Sequence, residues 1–180
     1  MSAFYVAKNE PLCHSPVHHF FSSPSLFQGD VKVFDFGLAK EMKDEDREGS
    51  LYNLSANTGS LRYMAPEVAL GKPYNEKVDI FSFAVLLWQM LALETPFENY
   101  NVSKHSDLVV HGNQRPPIDE KWPESLKKLF AESWSPNISD RPDCQGVMDV
   151  LRLEFNPYLG ESEVSALDIS NKTARSMENY

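Results

Sequence analysis

The stretch from Glu76 to Leu93 constrains the fold of this chain most, because its apolar residues cover almost every side of a helix. Such a helix has no polar face and must be enclosed by other elements. Asn75 is of a type that caps helix N-termini, and Thr95-Pro96 marks the end. The sequence therefore predicts a mainly α fold with this helix at its centre. Its apolar positions are Val78, Ile80, Phe81, Phe83, Val85, Leu86, Leu87, Trp88, Met90 and Leu91.

Four other helices are predicted around this central helix from local start and stop signals. Pro66 suits a first turn, Asp140-Arg141-Pro142 is a start signal, and glycines end two of the helices. The predicted ranges are Glu67–Leu70, Ser103–His111, Pro123–Trp134 and Pro142 to about Phe155. The inward faces are predicted to carry Leu126, Leu129, Phe130 and Trp134 in one helix, and Val147, Val150, Leu151 and Phe155 in the last.

Composition narrows the classes of partner. The chain has 180 residues, enough for one domain, and 17 basic against 26 acidic residues give a net charge of −9. Neither a basic stripe nor a polybasic cluster is present, so no nucleic acid or membrane partner is expected. The apolar run from Val78 to Leu93 is interrupted by polar residues and is too short for a membrane span. Cys13 and Cys144 are interpreted as free thiols, which favours a reducing, cytoplasmic location.

Both ends of the chain differ in character from its middle. Residues 1–28 are predicted to be an irregular leader, because three prolines forbid one long helix. The histidines there (His14, His18 and His19) could instead suggest a metal site, but no carboxylate or cysteine is paired with them. Residues 29–157 are assigned to the folded domain, and the polar, aperiodic residues 158–180 to a disordered tail.

A candidate cation ligand follows the first predicted strand. The short apolar run Val31–Phe34 indicates a strand, and Asp35-Phe36-Gly37 follows it as the start of a loop. The loop can present the Asp35 carboxylate to a cation, with Phe36 packed beneath it and Gly37 allowing unusual backbone angles. Alone, the triplet is a weak signal.

A polar segment from Leu38 to Met64 joins this triplet to Ala65-Pro66-Glu67. Its charged part, Lys40 to Gly49, is predicted to be a solvated loop, for which a plain linker and a regulatory role are equally good interpretations. Ser55, Thr58 and Ser60 lie nearer the second triplet. A phosphate on any of these hydroxyls would add about two negative charges and could order the segment.

The two triplets, with Gly59-Ser60 and Tyr63-Met64 leading into the second, resemble the activation segment of a protein kinase. The residues that lead into the second triplet are most similar to those of serine/threonine kinases of the tyrosine-kinase-like group. The resemblance implies the larger, C-terminal lobe of a kinase, with ATP and magnesium as cofactors and a protein substrate or a kinase partner.

The resemblance also assigns roles to particular residues. It implies that Asp35 binds magnesium, that Asp35, Phe36 and Gly37 contact the cofactor, and that the segment ending at Glu67 seats the substrate. Arg141 is expected to pair with Glu67, although each could be an ordinary surface charge. Asp79 is expected to be a buried structural carboxylate held by catalytic-loop amides, unless it merely caps its own helix. The seat residues are Ser55, Thr58, Gly59, Ser60, Tyr63, Ala65, Pro66 and Glu67.

Several motifs of the family are absent from this sequence. It has no glycine-rich phosphate loop, no strand lysine, and no H-R-D-x-x-x-x-N loop, so no catalytic base is assigned. Two hypotheses follow. Either the chain is an incomplete representative of a serine/threonine kinase, inactive and poorly stable alone, or it is a catalytically dead lobe that serves as a binding module.

Overall fold

The computed structural model describes residues 36–43, 47–55 and 59–156, without the side chains of residues 36, 47 and 48. Several features considered above lie outside these residues. They are the leader 1–28, the strand Val31–Phe34, Asp35, Thr58 and the tail 158–180. The described part is mostly helical with almost no strand, which confirms the predicted fold class. No helix of the described residues is both long enough and apolar enough to cross a membrane.

The predicted central helix is present as α2, Lys77–Ala92. Most of its apolar side chains belong to one buried cluster, with Phe81 and Val85 fully enclosed. Asn75 does not occupy the N-cap position itself, but its side-chain oxygen accepts a hydrogen bond from the Lys77 backbone N–H at 3.1 Å. Enclosure is not complete, since 38% of Met90 is exposed. The helix ends at Leu93, whose φ of 56° breaks the helical backbone.

Two short helices flank α2 in the chain. Helix α1, Pro66–Ala69, has Pro66 in its first turn, as predicted. Helix α3, Val102–His105, begins where the Asn101 side chain accepts a hydrogen bond from the Lys104 N–H at 2.8 Å. The helix predicted near Ser103 to His111 is present, but its second part, Ser106–His111, is a wider π-helix, which was not predicted. Its stop at Gly112 was predicted correctly.

Helices α4, Glu124–Ser133, and α5, Cys144–Phe155, complete the fold. The apolar face predicted for α4 is buried, and Phe130 stacks on Trp134 with ring centroids 5.1 Å apart. Helix α5 starts two residues later than the predicted Pro142, because Asp143 is its cap and accepts a hydrogen bond from the Gly146 N–H at 2.7 Å. Phe155 was wrongly predicted to face inward, since 36% of it is exposed. Periodicity fixes the face of a helix but not how far along it the core extends.

Part of the predicted solvated loop is a small hairpin. Strand β1, Arg47–Glu48, pairs antiparallel with β2, Leu51–Tyr52. Gly49, with a φ of 65°, supplies the left-handed backbone that the two-residue turn needs. The hairpin was missed because the charges of this stretch hid its turn signal. Tyr52 also forms a bridge with Tyr74, which ties the hairpin to the start of α2.

Candidate substrate seat

The segment of residues 59–67, here called the seat segment, lies against α2. Leu61–Tyr63 form one 3₁₀ turn. The Tyr63 hydroxyl donates to Gln89 Oε1 at 2.6 Å, and the Ser82 hydroxyl donates to the Tyr63 carbonyl at 2.8 Å. Ser82 and Gln89 are seven residues apart, or two helical turns, and therefore share one face of α2. Two polar groups of the central helix thus fix the middle of the seat segment.

The two ends of the seat segment differ in exposure. Gly59 and Ser60 are exposed, and Gly59 has a φ of 94° that favours glycine. Ala65 and Pro66 are buried at the start of α1. The segment therefore has an anchored C-terminal half and an accessible N-terminal half.

Glu67 and Arg141 form a two-point ion pair. Arg141 Nη1 donates to Glu67 Oε1 at 2.5 Å, and Nη2 donates to Oε2 at 2.9 Å. The arginine side chain is fully buried, and 11% of the glutamate side chain is exposed. Paired, planar geometry of this kind is the strongest form of the arginine–carboxylate contact. The predicted contact between these two residues is confirmed.

The remaining donors of Arg141 bind backbone carbonyls. Nε donates to the Ser135 carbonyl at 3.1 Å, and Nη1 also donates to the Lys77 carbonyl at 3.2 Å. In return, Lys77 Nζ donates to the Arg141 carbonyl at 2.6 Å. Arg141 therefore joins three parts of the lobe, namely α1, the start of α2 and the loop after α4.

A second arginine, Arg115, lies beside this pair. Its Nε donates to the Trp134 carbonyl at 2.8 Å and Nη1 to the Val109 carbonyl at 3.1 Å. Both guanidinium groups lie over the Phe81 ring, with centres 5.0 Å (Arg115) and 5.2 Å (Arg141) from its centroid. Burial, then the charge of Arg141, lowers the pKa of Arg115 to about 10, while Glu67 opposes this. Arg115 therefore stays charged at neutral pH.

Tyr74 holds the chain that leads into the seat segment. Its hydroxyl donates to the Ser55 carbonyl at 2.9 Å, and its backbone exchanges two hydrogen bonds with Tyr52. Burial, and secondarily the charge of Asp79, raises the pKa of Tyr74. Asp79 lies half-buried in the first turn of α2. Ser55 is half-buried and is therefore less accessible than Ser60, which is exposed.

Comparison with known protein families identifies the family of this chain. The sequence pattern described as "Protein kinase domain" matches residues 23–151. The chain belongs to the protein kinase family.

Relatives of the chain are named as kinases of several kinds. "Dual specificity protein kinase shkB" of Dictyostelium discoideum is 42% identical over 115 residues, which are 62% of this chain and 17% of the relative. "Serine/threonine/tyrosine-protein kinase HT1" of Arabidopsis thaliana is 34% identical over 138 residues (75% and 34%). "Mitogen-activated protein kinase kinase kinase 13-B" of Xenopus laevis is 31% identical over 150 residues (82% and 15%).

The chain thus spans between 15% and 34% of the length of these relatives. Their names agree with the predicted resemblance to serine/threonine kinases of the tyrosine-kinase-like group. Together with the helical fold, the matches are those of a kinase C-terminal lobe.

Protein kinases use ATP and Mg²⁺, and Mg²⁺ is bound by oxygen ligands such as carboxylates. Among residues 36–43, 47–55 and 59–156, no three histidine, cysteine, aspartate or glutamate side chains lie close enough together to hold one. Gly37 is exposed within the 3₁₀ turn Phe36–Leu38, and Asp35 lies just outside the described ranges.

The structure brings together only part of the residue set that the sequence suggested. The anchored segment contains Tyr63, Ala65, Pro66 and Glu67. Arg141, 74 positions further along the sequence, binds Glu67. Sequence reasoning missed Ser82, Gln89, Tyr74 and Arg115. The spacing of the two polar residues in an otherwise apolar helix was the available signal for Ser82 and Gln89. Arg115 gave none, because it follows the helix in an extended Arg-Pro-Pro stretch.

Proposed function

We propose that this chain supplies the substrate-seating part of an ATP-dependent serine/threonine protein kinase. The ion pair between Glu67 and Arg141 is the observation that carries the proposal, because it fixes one end of the seat segment to the rest of the lobe. Tyr63 is fixed separately by α2, while Gly59 and Ser60 stay exposed. A segment anchored in this way can hold a protein substrate in one position.

Phosphoryl transfer depends almost entirely on positioning the nucleotide, its metal ions and the acceptor hydroxyl. On the family resemblance we assign metal binding to Asp35 and contacts with the nucleotide to Asp35, Phe36 and Gly37. Ser55, Thr58 and Ser60 are the candidate regulatory hydroxyls of the activation segment. Asp79 is assigned a structural role at the start of α2.

The 180-residue chain alone is expected to be inactive and to bind ATP and Mg²⁺ weakly. Its sequence contains no glycine-rich loop, no strand lysine and no catalytic base. Removing one acting group typically lowers a rate by several orders of magnitude. A cytoplasmic location is proposed because Cys144 is an exposed free thiol, which a reducing compartment preserves.

A second candidate function is a catalytically dead lobe that binds kinase partners or acts as a scaffold. The same missing motifs favour it, because the chain would need none of them to bind another protein. The transcript sequence upstream of Met1 discriminates between the two. An in-frame H-R-D-x-x-x-x-N segment supports the enzyme, and a stop codon there supports the module.

Inactivity is tested with the purified 180-residue chain, radiolabelled ATP, Mg²⁺ and a general protein substrate. We expect incorporation at the background level, with no difference between the wild type and Asp35→Ala. Incorporation that Asp35→Ala abolishes would show that this chain is active on its own.

A further inference from the structure

One side of the central helix α2 is less buried than the rest of it. Phe83, Leu86, Met90 and Leu93 recur at spacings of three and four residues, so their side chains lie on the same side of the helix. Phe83 and Leu86 are half-buried, whereas 38% of Met90 and 69% of Leu93 are exposed. These four residues are called the open stripe. A contiguous apolar surface of this kind is typical of a site that packs against another segment.

The described chain begins near the N-terminal end of the open stripe. Residues in the ranges 39–43 and 53–55 line one cavity and therefore lie side by side. The Tyr74 hydroxyl donates to the Ser55 carbonyl at 2.9 Å, and Tyr74 precedes the first residue of α2 by three positions. The residues before Phe36 thus join the described lobe close to the start of α2. The stripe spans about 15 Å of the helix axis, which about five extended residues can cover.

The composition of the leader suits this apolar surface. Residues 11–28 contain no Asp, Glu, Lys or Arg, although these make up 24% of the chain. They include two adjacent apolar pairs, Phe20-Phe21 and Leu26-Phe27. Packing them on the stripe buries apolar surface without removing a charge from water. The tail, residues 158–180, is less suited, because it carries six charged residues.

We propose that residues 11–28 of this chain pack on the open stripe of α2, with Phe20 and Phe21 as the main contacts. The prolines of the leader are compatible with this packing, because an extended segment and not a helix is required. The leader then completes the enclosure of the central helix. The competing occupant is the stripe of a second copy of the chain. The proposal does not depend on the phosphoryl transfer of a complete kinase.

The test is chemical cross-linking in the full 180-residue chain. Cys144→Ser leaves Cys13 as the one native thiol. A second thiol is introduced by Leu93→Cys, or by Leu153→Cys as the matched control, because 69% of each leucine is exposed. A short bis-maleimide joins the thiols, and mass spectrometry of the digested monomer identifies the link. We expect Cys13 to be linked to position 93 at least about tenfold more than to position 153, because a packed segment holds its thiol at a high effective concentration.

Variants of the leader show whether apolar contacts hold it in place. Phe20→Asp with Phe21→Asp is expected to reduce the link at position 93 to the level at position 153, because two charges would have to be buried. Phe20→Leu with Phe21→Leu keeps the segment apolar and is expected to retain most of the link.

Three results would overturn the proposal. The first is an equal yield at positions 93 and 153 in the chain with the native leader, which decides the matter even if an aspartate variant fails to fold. The second is a link at position 93 that joins two chains, which would assign the stripe to a second copy. The third is an undiminished yield in a folded chain with both aspartate substitutions.

Discussion

Arg141 reaches across 74 positions of sequence to bind both carboxylate oxygens of Glu67. The arginine side chain is fully buried, and its other N–H groups bind the carbonyls of Ser135 and Lys77. One side chain therefore holds the end of the seat segment against two other parts of the lobe. If either partner is removed, a charge is left without its partner in a largely buried place.

The first prediction is a strong coupling between these two residues. Arg141→Ala is expected to lower the free energy of unfolding by about 3 to 5 kcal/mol, because Glu67 is left without its partner. The double variant with Glu67→Ala should lose clearly less than the sum of the two single losses. Urea unfolding of the four proteins measures the coupling.

Lys128 and Glu132 provide the matched control, since this pair lies 3.7 Å apart on the surface of α4 with both side chains exposed. The same cycle on that pair should give about 0.5 kcal/mol or less. Strict additivity for Glu67 and Arg141 would mean that the contact does not stabilise the lobe.

A second prediction concerns the aromatic side chains that pack around Phe130 of α4. Phe130 is fully buried and lies between Trp122 and Trp134, with ring centroids at 5.3 and 5.1 Å. Phe130→Ala is expected to cost about 3 to 5 kcal/mol, because it removes a large side chain from a closed site. Leu153→Ala is the comparison, since 69% of Leu153 is exposed, and it should change stability by about 0.5 kcal/mol or less. Similar losses for the two variants in urea titrations would contradict this core.

A third prediction uses two glycines with opposite surroundings. A Cβ on Gly112 would lie 2.7 Å from the Leu108 carbonyl oxygen and 3.0 Å from that of Asp107, both backbone atoms of the π-helix. Gly112→Ala should therefore destabilise the chain by about 1 to 3 kcal/mol.

Gly146 offers the contrast, because its added Cβ would meet only side-chain atoms at 3.3 Å or more. Gly146→Ala should be neutral or stabilising by up to about 1 kcal/mol, since alanine favours the helix. Thermal unfolding of both variants measures these changes in stability. An unchanged melting temperature for Gly112→Ala would show that the end of the π-helix has more room than the structure gives it.

A fourth prediction follows from His105. Its pKa in the folded chain lies below the ordinary value of 6.5, because burial and the charges of Arg62 and Arg115 oppose protonation. The unfolded chain therefore binds more protons as the pH falls. The stability contributed by the neutral ring is fully present above about pH 6.5 and is lost as the pH falls through the folded pKa.

This loss is measured by urea unfolding at about pH 7.5 and about pH 5.5 in the wild type and in His105→Phe. The wild type should lose more stability on acidification than the variant, which cannot titrate at this position. Equal losses in the two proteins would show that His105 is not held in its neutral form.

The local patterns of the sequence predicted the helices well, because their cause is local. The apolar face of α4 and the enclosure of α2 follow from which residues recur along each helix. The hairpin at Gly49 and the π-helix after His105 were not predicted. In both, the backbone pairing departs from what the charge pattern or the α-helical period indicates.

The sequence likewise indicated some features of the candidate site and not others. The pairing of Glu67 with Arg141 could be expected only from the family resemblance, since no local rule connects residues so far apart. His105 and Arg115 gave no signal, because their roles come from burial, and burial depends on the packing of distant elements. Polar residues in the apolar α2 were visible, but their partner, Tyr63, was not.

Our main proposal is that residues 35–67 position a metal ion and a substrate for phosphoryl transfer in a complete kinase. It is tested most directly in a chimera in which residues 29–156 of this chain replace the matching segment of the Dictyostelium shkB kinase domain. We expect the folded chimera to transfer labelled phosphate from ATP to a protein substrate, and Asp35→Ala to abolish this transfer. A folded chimera without activity, beside an active unmodified shkB, would contradict the claim and favour a binding module.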